Sequence, residues 1–162
     1  MRRSCPDLPD VFRSSQTAVV LAVSPWEEDH ARLRAILDQT RWLYHSVPAC
    51  GEAFEFLRGL SPPVVVCERS LPDGTWRDLL ERVAGLESPP QMIVTAADAD
   101  ETLWAEVLNT GGYDVLAKPF DPSEVTRIIG LAWLKWSQAA RASGAQRKRP
   151  AAGLAGGAAG AG

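Results

Sequence analysis

The sequence predicts an α/β domain, a doubly wound five-stranded parallel sheet in which each strand is followed by a helix. Three observations carry this expectation. Short, nearly continuous apolar runs recur along the chain, as in strands buried on both faces of a sheet. Segments of helical period lie between them, several with recognisable start or stop signals. The 162 residues, 46% hydrophobic and 23% charged, suit one domain with tails better than two domains.

The first strand is expected at residues 18–23. Ser24, Pro25 and Glu27 then read as an N-cap, a proline at the first helical position and a capping-box acid. A second strand follows at 44–47 and a helix at 51–57. A third strand is read at 64–67 with a helix at 75–83. The fourth strand is placed at 92–95, and its helix, 98–108, is closed by Gly111 and Gly112. The fifth strand falls at 115–117. Asp121, Pro122, Ser123 and Glu124 repeat the start signal before the last helix. That gives βα five times between residues 17 and 140, with right-handed crossovers placing helices on both faces.

The tails are read by composition. Residues 1–16 and 141–162 are expected to be disordered, the latter basic and then Ala/Gly-rich. After Pro150 the last twelve residues hold six Ala, five Gly and Leu154, too little apolar area to offset the entropy of ordering. Arg2 and Arg3 precede the first apolar run, but that run is too short and too late for a signal peptide. No stretch approaches the roughly 20 apolar residues of a membrane helix. Cys5, Cys50 and Cys67 are odd in number and lack metal-ligand spacing, so a reducing cytoplasm is expected and a disulfide framework is not. A net charge of −3 argues against a protein that coats nucleic acid. Arg141, Arg147, Lys148 and Arg149 read as a solvated basic run, with no aromatics interleaved for base stacking.

Sheets of this kind carry their working groups at the carboxyl ends of the strands. Glu68, Thr95 and Lys118 stand at the ends of three consecutive strands and should converge on one cleft. A carboxylate, a hydroxyl and an ammonium form a coherent polar set there.

Three motifs make this arrangement resemble a known family. They are Val65-Val66-Cys67-Glu68-Arg69-Ser70-Leu71-Pro72-Asp73-Gly74, Ile93-Val94-Thr95-Ala96, and Gly112-Tyr113-Asp114-Val115-Leu116-Ala117-Lys118-Pro119-Phe120. Over roughly residues 17–138 the chain resembles the receiver domain of two-component response regulators, a flavodoxin-like (βα)5 fold. The resemblance implies a phospho-acceptor position at Glu68, where the family carries Asp. It implies phosphoryl-site partners at Thr95 and Lys118, a switch position at Val115, and a carbonyl at Ser70 that serves a metal only if Mg²⁺ binds. The family's two metal-holding acids would fall on Ser24 and Pro25, so the acidic pocket is expected to be lost; a shifted alignment would put Glu27 and Glu28 there, but it overextends the first strand and spoils the capping box.

These departures bear on chemistry. Phosphoryl transfer depends on positioning and on charge neutralisation by the metal, and Mg²⁺ is commonly held by carboxylates. Glu68 is also one methylene longer than Asp, which moves the attacking oxygen by about 1 Å, a misplacement that can cost on the order of a hundredfold in rate. The sequence therefore predicts a degenerate, pseudo-receiver site with no cofactor and weak or absent Mg²⁺ binding, in a protein that is not an enzyme. A longer Glu68 is expected to reach Lys118 and Thr95 itself.

The partners implied are proteins, a histidine kinase or another regulator, with a homodimer through the last helices as a further expectation; no membrane or nucleic-acid partner is expected. Val125, Ile128, Ile129, Ala132 and Trp136 form the inward stripe of the final helix. Leu131 and Leu134 fall off it, Trp133 lies at its margin and Trp104 sits on the preceding helix, so these four are the expected partner surface. His30 and His45 read as surface or edge residues. Two other functions compete: a phosphorylation-independent adaptor that kept only the fold, and a small flavodoxin-like enzyme. The second is disfavoured because Ser24, Pro25 and Trp26 stand where a Gly-rich phosphate loop would follow the first strand.

Overall fold

The computed structural model describes residues 19–148. The N-terminal segment 1–16 and the Ala/Gly-rich end lie outside the described residues. Five parallel strands form one sheet: β1 (Val19–Val23), β2 (Leu43–Val47), β3 (Val64–Glu68), β4 (Gln91–Ala96) and β5 (Asp114–Ala117), in the order β2-β1-β3-β4-β5. The helices between and after them are α1 (Glu27–Leu37), α2 (Cys50–Gly59), α3 (Trp76–Val83), α4 (Glu101–Thr110) and α5 (Pro122–Lys148). The expected doubly wound class is borne out. A two-stranded hairpin, Ser70–Leu71 with Gly74–Thr75, follows β3 and was not foreseen.

The central strands read as unbroken apolar runs because both of their faces are covered. Alternate residues of β1 enter two different cores. Val19, Leu21 and Val23 pack with Phe56 of α2, Leu79 of α3 and Val107 of α4. Val20 and Ala22 pack with Leu33 and Ile36 of α1 and with Val125, Ile129 and Ala132 of α5. The strand order turns back at β1, so the carboxyl ends of β1 and β3 flank the switch point where this architecture opens a crevice.

Most boundaries shift by a residue or two from the sequence reading, and three of the shifts bear on the argument. The first helix begins at Glu27 with Trp26 as its N-cap, not at Pro25 with a Ser24 cap. The Ser24 hydroxyl still accepts from the Trp26 N–H, at 3.1 Å, so it braces the turn rather than the helix. The fourth helix starts at Glu101, because the Asp100 carboxylate accepts from the Leu103 N–H at 2.9 Å and sets the cap there. The last helix runs to Lys148, past the expected boundary at 140. Ala139, Ala140, Ala142 and Ala145 are strong helix formers and the helix carries on through Gly144, so the basic segment 141–148 is helix rather than tail.

Gly111 closes α4 in the left-handed region, at φ 113°, where glycine carries no Cβ penalty. Gly112 is needed for a different reason: a Cβ there would lie 2.4 Å from Val107 Cγ1 and 3.1 Å from the Val107 carbonyl oxygen. Gly112→Ala should therefore lower the urea midpoint by an amount equivalent to about 1–3 kcal/mol, as overpacking does. A midpoint equal to wild type would show that the turn after α4 shifts freely.

Candidate functional site

Three strand ends and one helix build the site. Glu68 closes β3, Thr95 lies in β4 beside it in register, and Lys118 follows β5. The Thr95 hydroxyl donates to Glu68 Oε1 at 3.1 Å, and Lys118 Nζ lies 2.8 Å from the same oxygen. The three residues singled out by the sequence therefore meet, and Glu68 itself reaches the other two. Glu68 and Thr95 are buried and the Lys118 side chain is 17% exposed.

A fourth member comes from α1. Asp29 Oδ2 lies 3.0 Å from Lys118 Nζ and also accepts from the Ser24 hydroxyl at 2.8 Å. Lys118 thus bridges two buried carboxylates, one from each side. Burial alone would lower the Lys118 pKa, but the hydrogen bonds to Glu68 and Asp29 outweigh it and hold the ammonium above its ordinary 10.5. A raised lysine adds stability that is complete below its unfolded value and disappears as pH climbs through the folded one. Thermal unfolding temperature should accordingly fall above about pH 10.5, and Lys118→Arg, charged throughout that range, should flatten the fall. An equal alkaline decline in that variant would place its origin elsewhere.

His30 corrects the sequence reading. It is buried, not a surface residue, with Nε2 2.7 Å from the Ser24 carbonyl oxygen and Nδ1 2.9 Å from the Tyr44 hydroxyl. Burial, the largest influence, raises the Tyr44 pKa and keeps its phenol protonated. Ser24 is thus held at its carbonyl by His30 and at its hydroxyl by Asp29, which fixes the turn leaving β1. His45, half-buried on β2, sits with its ring 4.5 Å from that of Phe56.

Sequence reasoning missed Asp29 although a signal existed. Leu33, Ile36 and Leu37 mark the inward face of α1, and Asp29 and His30 stand four and three residues before Leu33 on the same face. Asp73 was also missed. Its carboxylate accepts from the N–H groups of Cys50, at 2.8 Å, and Gly51, at 3.0 Å, and these bonds lower its pKa. It ties the turn after β3 to the start of α2. The buried Cys50 thiol is pushed up to about 11, first by burial and then by Asp73 and Asp78, and burial also raises Cys67 well above its ordinary value. Both stay neutral thiols at physiological pH, which a reactive cysteine does not.

The remaining positions line the opening or lie away from it. A cleft of about 590 Å³ is bounded by Trp26, Glu28, Glu68, Arg69, Ser70, Ala97, Asp98 and Lys118. Arg69 pairs with Asp98 at its rim, at 3.1 Å. Val115, expected from the resemblance to hold the switch position, is half-buried in β5 opposite Val94. Trp104, Leu131 and Leu134 are exposed, and Trp133 is half-buried against Trp42.

Mg²⁺ takes near-octahedral oxygen ligands; here Asp29 Oδ2 and Glu68 Oε1 both lie against the Lys118 ammonium, and Glu28 lines the same cleft as Glu68. Ser24 and Pro25 add no carboxylate at the end of β1. Among the described residues no group of three or more His, Cys, Asp or Glu could hold a metal.

No family model matches the chain. The chemotaxis protein CheY of Thermotoga maritima is 26% identical over 78 residues, which are 48% of this chain and 65% of that protein. The match thus spans less than two thirds of that relative. Solved structures agree over more of the chain. A signal receiver domain from Vibrio parahaemolyticus superposes with a TM-score of 0.72 at 18% identity, covering 77% of this chain and 96% of that one. The signal receiver domain of an HD domain-containing protein from Pseudomonas fluorescens Pf-5 gives 0.67 at 24% identity, covering 74% and 97%. The chemotaxis response regulator CheY4 of Vibrio cholerae gives 0.65 at 16% identity, covering 71% and 98%. With the 2-1-3-4-5 strand order and the three converging strand ends already in place, these likenesses agree on one architecture: the chain has the receiver-domain fold of response regulators.

Proposed function

We propose that this protein is a signalling receiver of the two-component type whose phosphoryl site is filled by its own ion triad, and that it works by protein contact. The observation that carries the reading is the Lys118 ammonium held between Glu68 Oε1, at 2.8 Å, and Asp29 Oδ2, at 3.0 Å. A phosphoryl group in this fold needs a free carboxylate to join, a lysine to neutralise it and a metal beside it. Here the lysine is engaged twice, and the carboxylate is engaged by Lys118 and Thr95. Mg²⁺ binding is weak or absent on this reading, and the protein acts as a signalling domain rather than as an enzyme.

Transmission by contact is supported by the exposed apolar residues of the last two helices. Trp104 and Leu108 on α4 and Leu131 and Leu134 on α5 are all exposed, and large apolar side chains of this kind are at home in interface centres. The partner is a protein of the same signalling class, a histidine kinase or another regulator, in the cytoplasm. No described helix is long and apolar enough to cross a membrane.

The test is incubation of the purified protein with acetyl phosphate and Mg²⁺, read by intact mass. The mass should not change. A single phosphoryl adduct mapping to Glu68 would overturn the reading and make this a working receiver with a glutamate acceptor.

A further inference from the structure

The cleft of about 590 Å³ beside the ion triad adjoins a second lobe of about 420 Å³, and the two share Glu28, Ala97 and Lys118 as walls. Volumes of this size hold small organic molecules. Four carboxylates and three cations line the two lobes together: Glu28, Asp29, Glu68 and Asp98 against Arg32, Arg69 and Lys118. Each of the three cations is committed within the protein. Lys118 lies between Asp29 and Glu68, Arg69 pairs with Asp98 at 3.1 Å, and Arg32 donates to the Phe120 carbonyl at 3.2 Å. Glu28 is exposed and has no hydrogen-bond or ion-pair partner among the described residues. One negative charge therefore stands in the cleft without a counter-charge. The walls around it are largely apolar, with Trp26, 52% exposed, in the first lobe and Pro119 and Phe120 in the second.

We propose that this cleft binds a monovalent organic cation, a small amine carried on an aromatic body. The ammonium sits at Glu28, where the two lobes meet, and completes the charge balance through a charge-assisted hydrogen bond. Trp26 lines the same cleft, and an indole face is the best of the aromatic surfaces for a cation. The apolar body fills the second lobe against Pro119 and Phe120, which gives the site the apolar lining with few polar groups that small-molecule pockets have. A divalent metal ion asks for a shell of oxygen ligands, where much of this wall is indole, proline and phenyl. An anion suits the site less, because no cation lining it is free to meet one. The inference rests on the reading that Asp29 and Glu68 hold Lys118, since a released ammonium would turn the cleft towards anions.

Isothermal titration of the full chain with phenethylamine tests this, with 2-phenylethanol as the neutral isostere and inorganic phosphate and MgCl₂ as separate titrants. Phenethylamine should bind with a dissociation constant of about 1 mM or below, in the range of ligands of its size. The alcohol should bind about tenfold more weakly or not at all, for want of the ion pair and the cation–π contact. Glu28→Gln and Trp26→Ala should each weaken the amine about fivefold. Both side chains are exposed and Trp26 caps α1 without a side-chain hydrogen bond, so circular dichroism should stay unchanged in each variant. Equal binding of amine and alcohol overturns the proposal, and so does amine binding that neither variant weakens. Heat from Mg²⁺ that Glu28→Gln abolishes, with none from the amine, would assign the cleft to a metal and overturn it too. Phosphate binding in place of the amine would show Lys118 free and bring down the underlying reading as well. If neither the amine nor phosphate binds at about ten times that constant, the amine site alone falls and the filled phosphoryl site stands.

Discussion

Replacing Lys118 with Met should cost about 3–5 kcal/mol of folding free energy, the range for removing one partner from a buried ion pair. The reason is the geometry rather than the count of bonds. Asp29 and Glu68 approach one ammonium from two sides, and the side chains of both are nearly buried. Without it, two desolvated carboxylates face each other across the space the lysine filled, and repulsion adds to the lost pairing. The same logic predicts a partial rescue. Asp29→Asn in the Lys118→Met background should be more stable than Lys118→Met alone, because one of the opposed charges is gone. The coupling between the two positions should then fall in the range of about 0.5–3 kcal/mol seen for groups in direct contact. Urea unfolding of the four variants of this cycle measures it. A loss for Lys118→Met below about 1 kcal/mol, the value of a solvated pair, would mean that water already screens the triad.

The fold and most of this triad were legible in the sequence for one reason: position in the sheet follows from chain order. Residues that end consecutive parallel strands must share one edge, so Glu68, Thr95 and Lys118 could be brought together without knowing any angle. The strands themselves could be read because β1, β3 and most of β4 are buried on both faces and leave unbroken apolar runs. Asp29 was harder because its place depends on helical phase. Glu27, Glu28 and Asp29 are three acids in a row, and each successive residue turns by about 100° around the helix axis. Starting the helix at Pro25 left that phase open, and only the inward face marked by Leu33 and Ile36 selects Asp29 over its neighbours. His30 was misread for a related reason. Its burial depends on two partners, the Ser24 carbonyl and the Tyr44 hydroxyl, and composition carries no information about them. The run of α5 beyond 140 was missed because its charges suggested a tail, while its alanines sustain a helix.

Adding the two missing acids should make the stability of the fold depend on Mg²⁺. In the Ser24→Asp, Pro25→Asp double variant, four carboxylates would crowd one ammonium at the carboxyl edge of the sheet. Ser24 now donates to Asp29, so the first change alone converts an attractive contact into a like-charge one. Without a divalent cation the variant should be less stable than wild type, since uncompensated charge at a half-buried edge is costly. With Mg²⁺ the added oxygens supply ligands that the natural turn lacks. Binding to the folded state alone stabilises by RT ln(1 + [L]/Kd), about 2.7 kcal/mol when the ion stands at a hundredfold its dissociation constant. The unfolding temperature of the variant should therefore climb with Mg²⁺ concentration, while that of the natural protein stays level. A natural protein that climbs in parallel would mean Asp29, Glu68 and Glu28 already hold the ion, and Lys118 gives way to it. A variant that stays level would mean that the turn after β1 does not aim its side chains at the cleft. Between those outcomes, the steeper response of the variant would trace the loss of metal binding to two positions at the end of one strand.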